Sequence, residues 1–285
     1  MTGLPTIPGA SPIAVSVLTA LLEARTGQQI ASNRSWRIDT ALKPLLRDRG
    51  LETLDQLVGV LLEGRDTMVG DQIVEALVNG ETSFFRDAVI FDSIVEAATA
   101  VEASGRRPRI WCAGCSSGQE PLSLAMLFAE RQQDRGLPTP EIVATDVSDA
   151  AVARTRAARF TQFEIQRGLP IRRMMRWFEA AGVDWVANPE LTRMVAVRRH
   201  NLAAEPAPAG QFDIVLCRNV LLYFAPPIKA QVFARLASAL RPGGMLVLGA
   251  GETVIGQTRD FEPSKRLRGF YERVAVPDPG ARNAA

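Results

Sequence analysis

Apolar residues recur every three or four positions through the first part of the chain, then gather into short unbroken runs. Val15, Leu18, Leu21 and Leu22 mark one face of a helix over Pro12 to Ala24. Arg37 to Arg49 predicts a second helix, closed by Gly50 just past its end. Pro44 inside it lacks an N–H and implies a kink or a later start. Thr53 is placed to cap a third helix with Leu54, Leu57, Val58, Leu61 and Leu62 as its apolar side, and Asp71 to Val78 is a fourth.

The period changes near residue 108. Arg109–Ala113, Glu141–Thr145, Asp213–Cys217 and Met245–Gly249 are strands, the middle ones apolar enough for burial on both faces of a parallel sheet. Gln119–Arg131, Ser148–Ala157 and Pro226–Leu240 are helices between them, and Arg241-Pro242-Gly243-Gly244 is a turn. Arg266–Val274 is expected to add an antiparallel edge strand. In the long connection between the second and third strands, Ile171–Ala180 reads as a helix. Val183–Val186 and Leu191–Val197 read as a hairpin turning at Asn188-Pro189. The expectation is a small all-helical domain over 1–75 and a doubly wound, Rossmann-like α/β domain over 76–275. The α/β domain carries a small β insertion at about 171–200. Residues 1–11 read as loose and the tail 276–285 as disordered.

Composition narrows the function. Lys+Arg 33 against Asp+Glu 31 leaves +2, so no strong global field points to nucleic acid. No run approaches the ~18 apolar residues of a membrane span, and no basic-then-apolar leader opens the chain. Three cysteines fit a reducing compartment, so a soluble cytoplasmic protein is expected. The one histidine, His200, counts against His-rich metal centres and most hydrolase triads. Cys112, Cys115, Cys217 and His200 are numerous enough for a Cys₃His zinc site. However, the first two lie in a glycine turn and Cys217 in an apolar strand, so small buried residues are the better reading and no metal is expected.

The chemistry gathers at strand ends. Arg109–Pro121 runs from a strand through a loop of small residues into a helix. Its glycines, Gly114 and Gly118, do not follow the dinucleotide pattern G-x-G-x-x-G, which disfavours an NAD-dependent dehydrogenase. A pyrophosphate needs bare N–H groups at a helix start. Glu120 puts a carboxylate there instead, which suits a cation such as S-adenosylmethionine (SAM), with its sulfonium and ammonium. Asp146 ends the second strand, where such sheets take ribose hydroxyls; the alternative, a helix cap, is better filled by Ser148. Arg218 and Asn219 end the buried run Ile214–Cys217 and need partners there. Asn219 both donates and accepts, which suits an amino-acid group or an adenine edge. Tyr223 follows one turn on, as a ligand contact or a core aromatic. Thr82–Asp87 is either a helix start plugged by Phe84 and Phe85 or a lid with Arg86 facing an anion.

In order along the chain stand Glu81-Thr82-Ser83-Phe84-Phe85-Arg86-Asp87, Ala113–Pro121, Ala144-Thr145-Asp146, Arg167-Gly168-Leu169-Pro170, Phe212–Phe224 with Cys217-Arg218-Asn219-Val220, and Pro242-Gly243-Gly244. Together these resemble the chemotaxis receptor methyltransferase (CheR) family over roughly residues 12–275. The resemblance implies a helical domain, a SAM-binding α/β domain and a β insertion. It also implies methyl-ester formation on glutamates of the cytoplasmic helical region of methyl-accepting chemoreceptors, by a monomer. SAM contacts are implied at Thr82, Arg86, Glu120, Asp146, Asn201, Leu202, Arg218 and Asn219, with Arg86 and Tyr223 nearest the methyl group. The family's asparagine falls at Gly80, beside Asn79, and Gln119 stands where glutamate is usual. Docking through a basic helix is implied for the cluster Arg34, Arg37, Lys43, Arg47 and Arg49. Some family members also bind a receptor-tail peptide by adding a strand to the β insertion.

Overall fold

The computed structural model describes residues 10–274, so the expected disordered tail lies outside the described residues. Four helices come first: α1 (Pro12–Thr26), α2 (Trp36–Asp48), α3 (Leu54–Glu63) and α4 (Val69–Leu77). Ser11 caps α1 by accepting from the Ala14 amide. At α3, Thr53 and Gln56 satisfy each other's backbone amides in a capping box. Pro44 sits inside α2 without ending it. The periodic apolar positions, among them Leu18, Leu22, Ile38, Leu42, Leu57 and Ile73, close into a cluster of their own.

The alternating region follows. Its elements are α5 (Ala88–Ala103), β1 (Arg109–Ala113), α6 (Gln119–Arg135), β2 (Glu141–Asp146), α7 (Asp149–Ala157), β3 (Arg159–Thr161), α8 (Gln162–Gln166) and α9 (Ile171–Trp177). After them come β4 (Phe178–Ala181), β5 (Asp184–Ala187), α10 (Pro189–Arg193), β6 (Val195–Arg199), β7 (Phe212–Cys217), α11 (Pro226–Ala239), β8 (Leu240–Leu248), β9 (Phe261–Pro263) and β10 (Phe270–Arg273).

One seven-stranded sheet runs β6-β2-β1-β7-β8-β10-β9, parallel as far as β8. Successive residues of β1 point to opposite faces. Ile110 and Cys112 join a core with α5 and α6, whereas Trp111 and Ala113 join one with α11. Both faces are covered, which is why these strands read as continuous apolar runs. The chain winds from β1 through β2 to β6 on one side and resumes with β7 and β8 on the other. The order therefore reverses beside β1, where open α/β sheets form their ligand crevice.

Four expectations are corrected. Val183–Val186 and Leu191–Val197 do not form a hairpin: β5 pairs with β3 and β4, and β6 pairs parallel with β2 as a strand of the main sheet. The small sheet begins earlier than residue 171, at Arg159, and ends at Ala187. The three residues of β3 are too few for a readable period; what fixes them is Phe160, fully buried against Phe84, with ring centroids 5.0 Å apart. The helix expected to run to Ala180 stops at Trp177, because Phe178 turns inward onto Phe84. The last strand, β10, is antiparallel but lies inside the sheet, with β9 outside it.

Candidate active site

A cavity opens at the carboxyl ends of β1, β2, β6 and β7, with ≈ 780 Å³ of empty space including its mouth. Thr82, Arg86, Glu120, Asp146, Asn201, Leu202, Arg218, Asn219 and Tyr223 all line it. Gly80 does not; its carbonyl accepts from the Ser116 hydroxyl at 2.6 Å. The neighbouring Asn79 faces the cavity instead, donating to the Tyr223 hydroxyl and accepting from Arg37 at 3.1 Å.

The loop after β1 shapes the floor. Gly114 has φ 81, and a Cβ there would lie 2.6 Å from a methyl of Val220, so only glycine lets the two strand-end loops close together. Its amide and that of Cys115 both donate to the Thr145 carbonyl, at 2.8 and 2.9 Å. Ser116 then donates its amide to Asp146 Oδ2 at 2.8 Å, and Ser148 donates its own to Oδ1 at 3.0 Å. Ser148 also caps α7, as its position predicts. Burial pushes the Asp146 carboxyl above its ordinary value, and the two amides pull it back down. Glu75 of α4 reaches this corner, accepting from the Ser148 hydroxyl at 2.5 Å and the Asp149 amide at 2.7 Å.

Glu120, in the first turn of α6, meets Arg218 at 3.0 Å. The Arg218 side chain is 2% exposed and also donates to Asp87 at 2.6 Å and to the Arg86 carbonyl at 2.8 Å. Burial raises the Glu120 carboxyl, and the Arg218 charge opposes that rise. The segment before α5 is both plug and wall. Phe84 is buried between Phe160 and Phe178, and Phe85 lies under the Arg173 guanidinium at 4.7 Å. Phe85 and Asp87 take left-handed φ values of 47 and 59, rare for residues with a side chain. Those two turns send the phenylalanines into the core while Arg86, between them, lines the cavity.

The helical unit supplies the remaining wall. Thr26 at the end of α1 and Gln28 just beyond it enter the lining, and the Gln29 amide donates to the Tyr223 carbonyl at 2.7 Å. Asn201 fastens this junction: its amide nitrogen donates to the Arg25 carbonyl at 2.8 Å, and its oxygen accepts from Ala203 at 2.9 Å. His200 Nε2 donates to the Pro206 carbonyl at 2.8 Å. Cys112, Cys115 and Cys217 are buried free thiols, each pushed up in pKa by burial. Sequence reasoning missed Asn79, Gln28 and Glu252, whose carboxylate binds the Asn219 loop. For Glu252 a signal was present, a lone acid in the glycine-rich turn Gly249-Ala250-Gly251 that leaves a buried strand.

These groups fit a ligand that brings a cation, hydroxyls and N–H donors. The buried carboxylates Glu120 and Asp146 supply negative charge and acceptors, and Asn219 Oδ1 is a buried oxygen without a hydrogen-bond partner. An α/β sheet with a carboxylate in the first turn of its first helix and an acid ending its second strand fits a SAM-dependent methyltransferase. The family described as "CheR methyltransferase, SAM binding domain" matches residues 80–270. The chain is 36% identical over 245 residues to the chemotaxis protein methyltransferase of Vibrio parahaemolyticus, covering 85% of this chain and 89% of that one. It is 37% identical to the corresponding protein of Vibrio anguillarum, with the same coverage. To chemotaxis protein methyltransferase 1 of Pseudomonas aeruginosa it is 34% identical, over 82% of this chain and 87% of that one. Among solved structures, the CcbJ methyltransferase of Streptomyces caelestis overlaps 57% of this chain and 47% of its own, at TM-score 0.35 and 17% identity, too slight a likeness to bear on function. The chain belongs to the CheR methyltransferase family, and SAM is its cofactor. Among the described residues, no helix is long and apolar enough to cross a membrane.

Proposed function

We propose that this protein forms methyl esters on glutamate side chains in the cytoplasmic helical region of chemoreceptors. The observation that carries this reading is the placement of the cavity, with the sheet edge on one side and the helical unit on the other. The relatives' name, chemotaxis protein methyltransferase, supports the substrate class.

When bound, SAM supplies an electrophilic methyl group on a positively charged sulfur. A glutamate side chain, with a pKa of about 4.3, arrives already ionised, so no residue has to remove a proton. The work left to the protein is alignment and exclusion of water. Glu120 and Asp146 would hold the cationic and hydroxyl-bearing parts of the cofactor, and Asn219 would accept from one of its N–H groups. Arg86 and Tyr223 line the side on which substrate enters. Opposite charges cancel as the methyl moves, so a dry and weakly polar setting favours the reaction, whereas a strong cation held against the nucleophile opposes it. Arg86 therefore orients a bound group rather than activating the carboxylate.

Docking uses the exposed basic side of α2. Lys43 is bridged to Asp39 at 3.0 Å, Arg37 is turned inward to Asn79, and Arg49 is held by Asp66 at 2.7 Å. Arg34 and Arg47 remain exposed for an acidic receptor helix. Such docking weakens as salt screens it, over a Debye length of about 8 Å at physiological ionic strength.

The test is to incubate the protein and methyl-labelled SAM with receptor-bearing membranes and then treat with mild alkali. Label released as methanol supports the ester; alkali-stable label assigns a different acceptor atom, and no incorporation refutes the reading.

A further inference from the structure

Glu252 lies in the loop after β8, outside the set of residues assigned to the cavity, yet both its carboxylate oxygens are committed to the cavity's edge. Oε2 accepts from the amides of Asn219 at 2.7 Å and Gly249 at 2.9 Å. Oε1 accepts from Val220 at 3.0 Å and Leu222 at 3.3 Å. One charged side chain thus gathers backbone N–H groups from the ends of β7 and β8, some thirty residues apart in sequence. Charge-assisted bonds of this kind are about twice as strong as neutral ones.

What they hold is an uncommon conformation. Asn219 has φ 59, in the left-handed region, and it is the residue through which the chain leaves a fully buried strand. Its side chain is clamped from behind by Gly249, where a Cβ would come within 2.8 Å of the Asn219 amide. The same side chain lines the cavity and carries Oδ1 buried without a partner. A buried acceptor left open is costly unless a ligand completes it. The loop therefore spends its fixed geometry on presenting one amide.

We infer that Glu252 is a positioning residue for the cofactor: by binding four backbone amides of the β7 and β8 ends, it fixes Asn219 so that its side-chain amide receives an N–H donor of SAM. The inference rests on the assignment of this cavity to SAM. The chemistry requires a carboxylate. Glutamine of the same shape has one acceptor oxygen, and its NH₂ would face two of the amides that Oε1 or Oε2 now accepts from.

The experiment is a double-mutant cycle read by calorimetric binding of S-adenosylhomocysteine to the full chain, with Glu252→Gln, Asn219→Ala and both together. The expected result is that Glu252→Gln raises Kd by about tenfold, or 1.4 kcal/mol, and that the same change has little further effect once Asn219 is alanine. A residue that only stabilises the fold would lower binding equally in both backgrounds, and that outcome overturns the inference, as does an unchanged Kd. Glu252→Asp guards against a variant that fails to fold: it keeps the charge but shortens its reach to the four amides, and it should weaken binding in the Asn219 background while leaving the Asn219→Ala background nearly unaffected. Equal loss in both would again overturn it. Wild-type protein that binds neither SAM nor its product would sink the cavity assignment itself, and this inference with it.

Discussion

The two walls of the cavity are built on different principles. On the sheet side, Asp146 is held by two backbone amides, Glu120 by Arg218, and Arg218 in turn by Asp87 and the Arg86 carbonyl. On the side facing the helical unit, Tyr223 bonds through its hydroxyl only to Asn79, and Arg86 reaches no nearer partner than the Glu81 carbonyl at 3.5 Å. The first wall is fixed before any ligand arrives, as binding a cofactor of constant shape requires. The second wall comes from the helical cluster, the turn before α5 and the turn after β7 that carries Tyr223, and its side chains keep freedom to meet a protein substrate.

The comparison breaks most visibly at Arg218. Replacing it by methionine leaves Glu120 as a charge in a mostly buried site without its partner, and unfolding free energy should fall by about 3–5 kcal/mol, measured by urea denaturation. A loss below about 1 kcal/mol would mean that the sheet wall is not pre-wired as described.

Arg86→Ala comes next in size. Turnover should drop by about tenfold, which corresponds to 1.4 kcal/mol, while unfolding stability stays within about 0.5 kcal/mol of wild type. Separate measurement of kcat and of SAM affinity decides which group Arg86 orients; no change in either removes it from the site.

The smallest effect concerns pH. Burial sets Glu120 and Asp146 above their ordinary values of 4.5 and 3.8. A cationic cofactor needs both ionised, so affinity should begin to fall at a higher pH than free carboxylates would give, as acid is added through a window above the ordinary carboxylate range. In the ligand-free protein the sign reverses. Groups with raised folded-state pKa bind protons more tightly when folded, so their contribution to stability shrinks as pH rises through the same window. Calorimetric titration of S-adenosylhomocysteine against pH checks the first, and Glu120→Gln should flatten part of the slope.

The sheet wall was the more legible of the two in the sequence. Strands buried on both faces announce themselves as apolar runs, and the polar residues that end them, Asp146, Arg218 and Asn219, stand out because such residues need a reason to be there. Thr53 and Ser148 were readable as caps because capping is local. What escaped was non-local. β3 owes its existence to Phe84, far away in sequence, and the pairing of β5 was decided by β3 rather than by the nearer Leu191–Val197. Glu252 stands out as a lone acid after a glycine turn, but its partners are backbone amides about thirty residues away, and those carry no sequence signature. Asn79 rather than Gly80 reaches the cavity because both lie past the end of α4, where no helical period fixes direction, and only Asn79 has a side chain to present.

The most direct test of the division between the walls is S-adenosylhomocysteine affinity, measured beside turnover, for Asp146→Ala and Tyr223→Phe. The account predicts that Asp146→Ala weakens binding by about a hundredfold, or 2.7 kcal/mol, while Tyr223→Phe leaves Kd within about threefold and lowers kcat. The reverse pattern, with binding lost at Tyr223 and kept at Asp146, would contradict it.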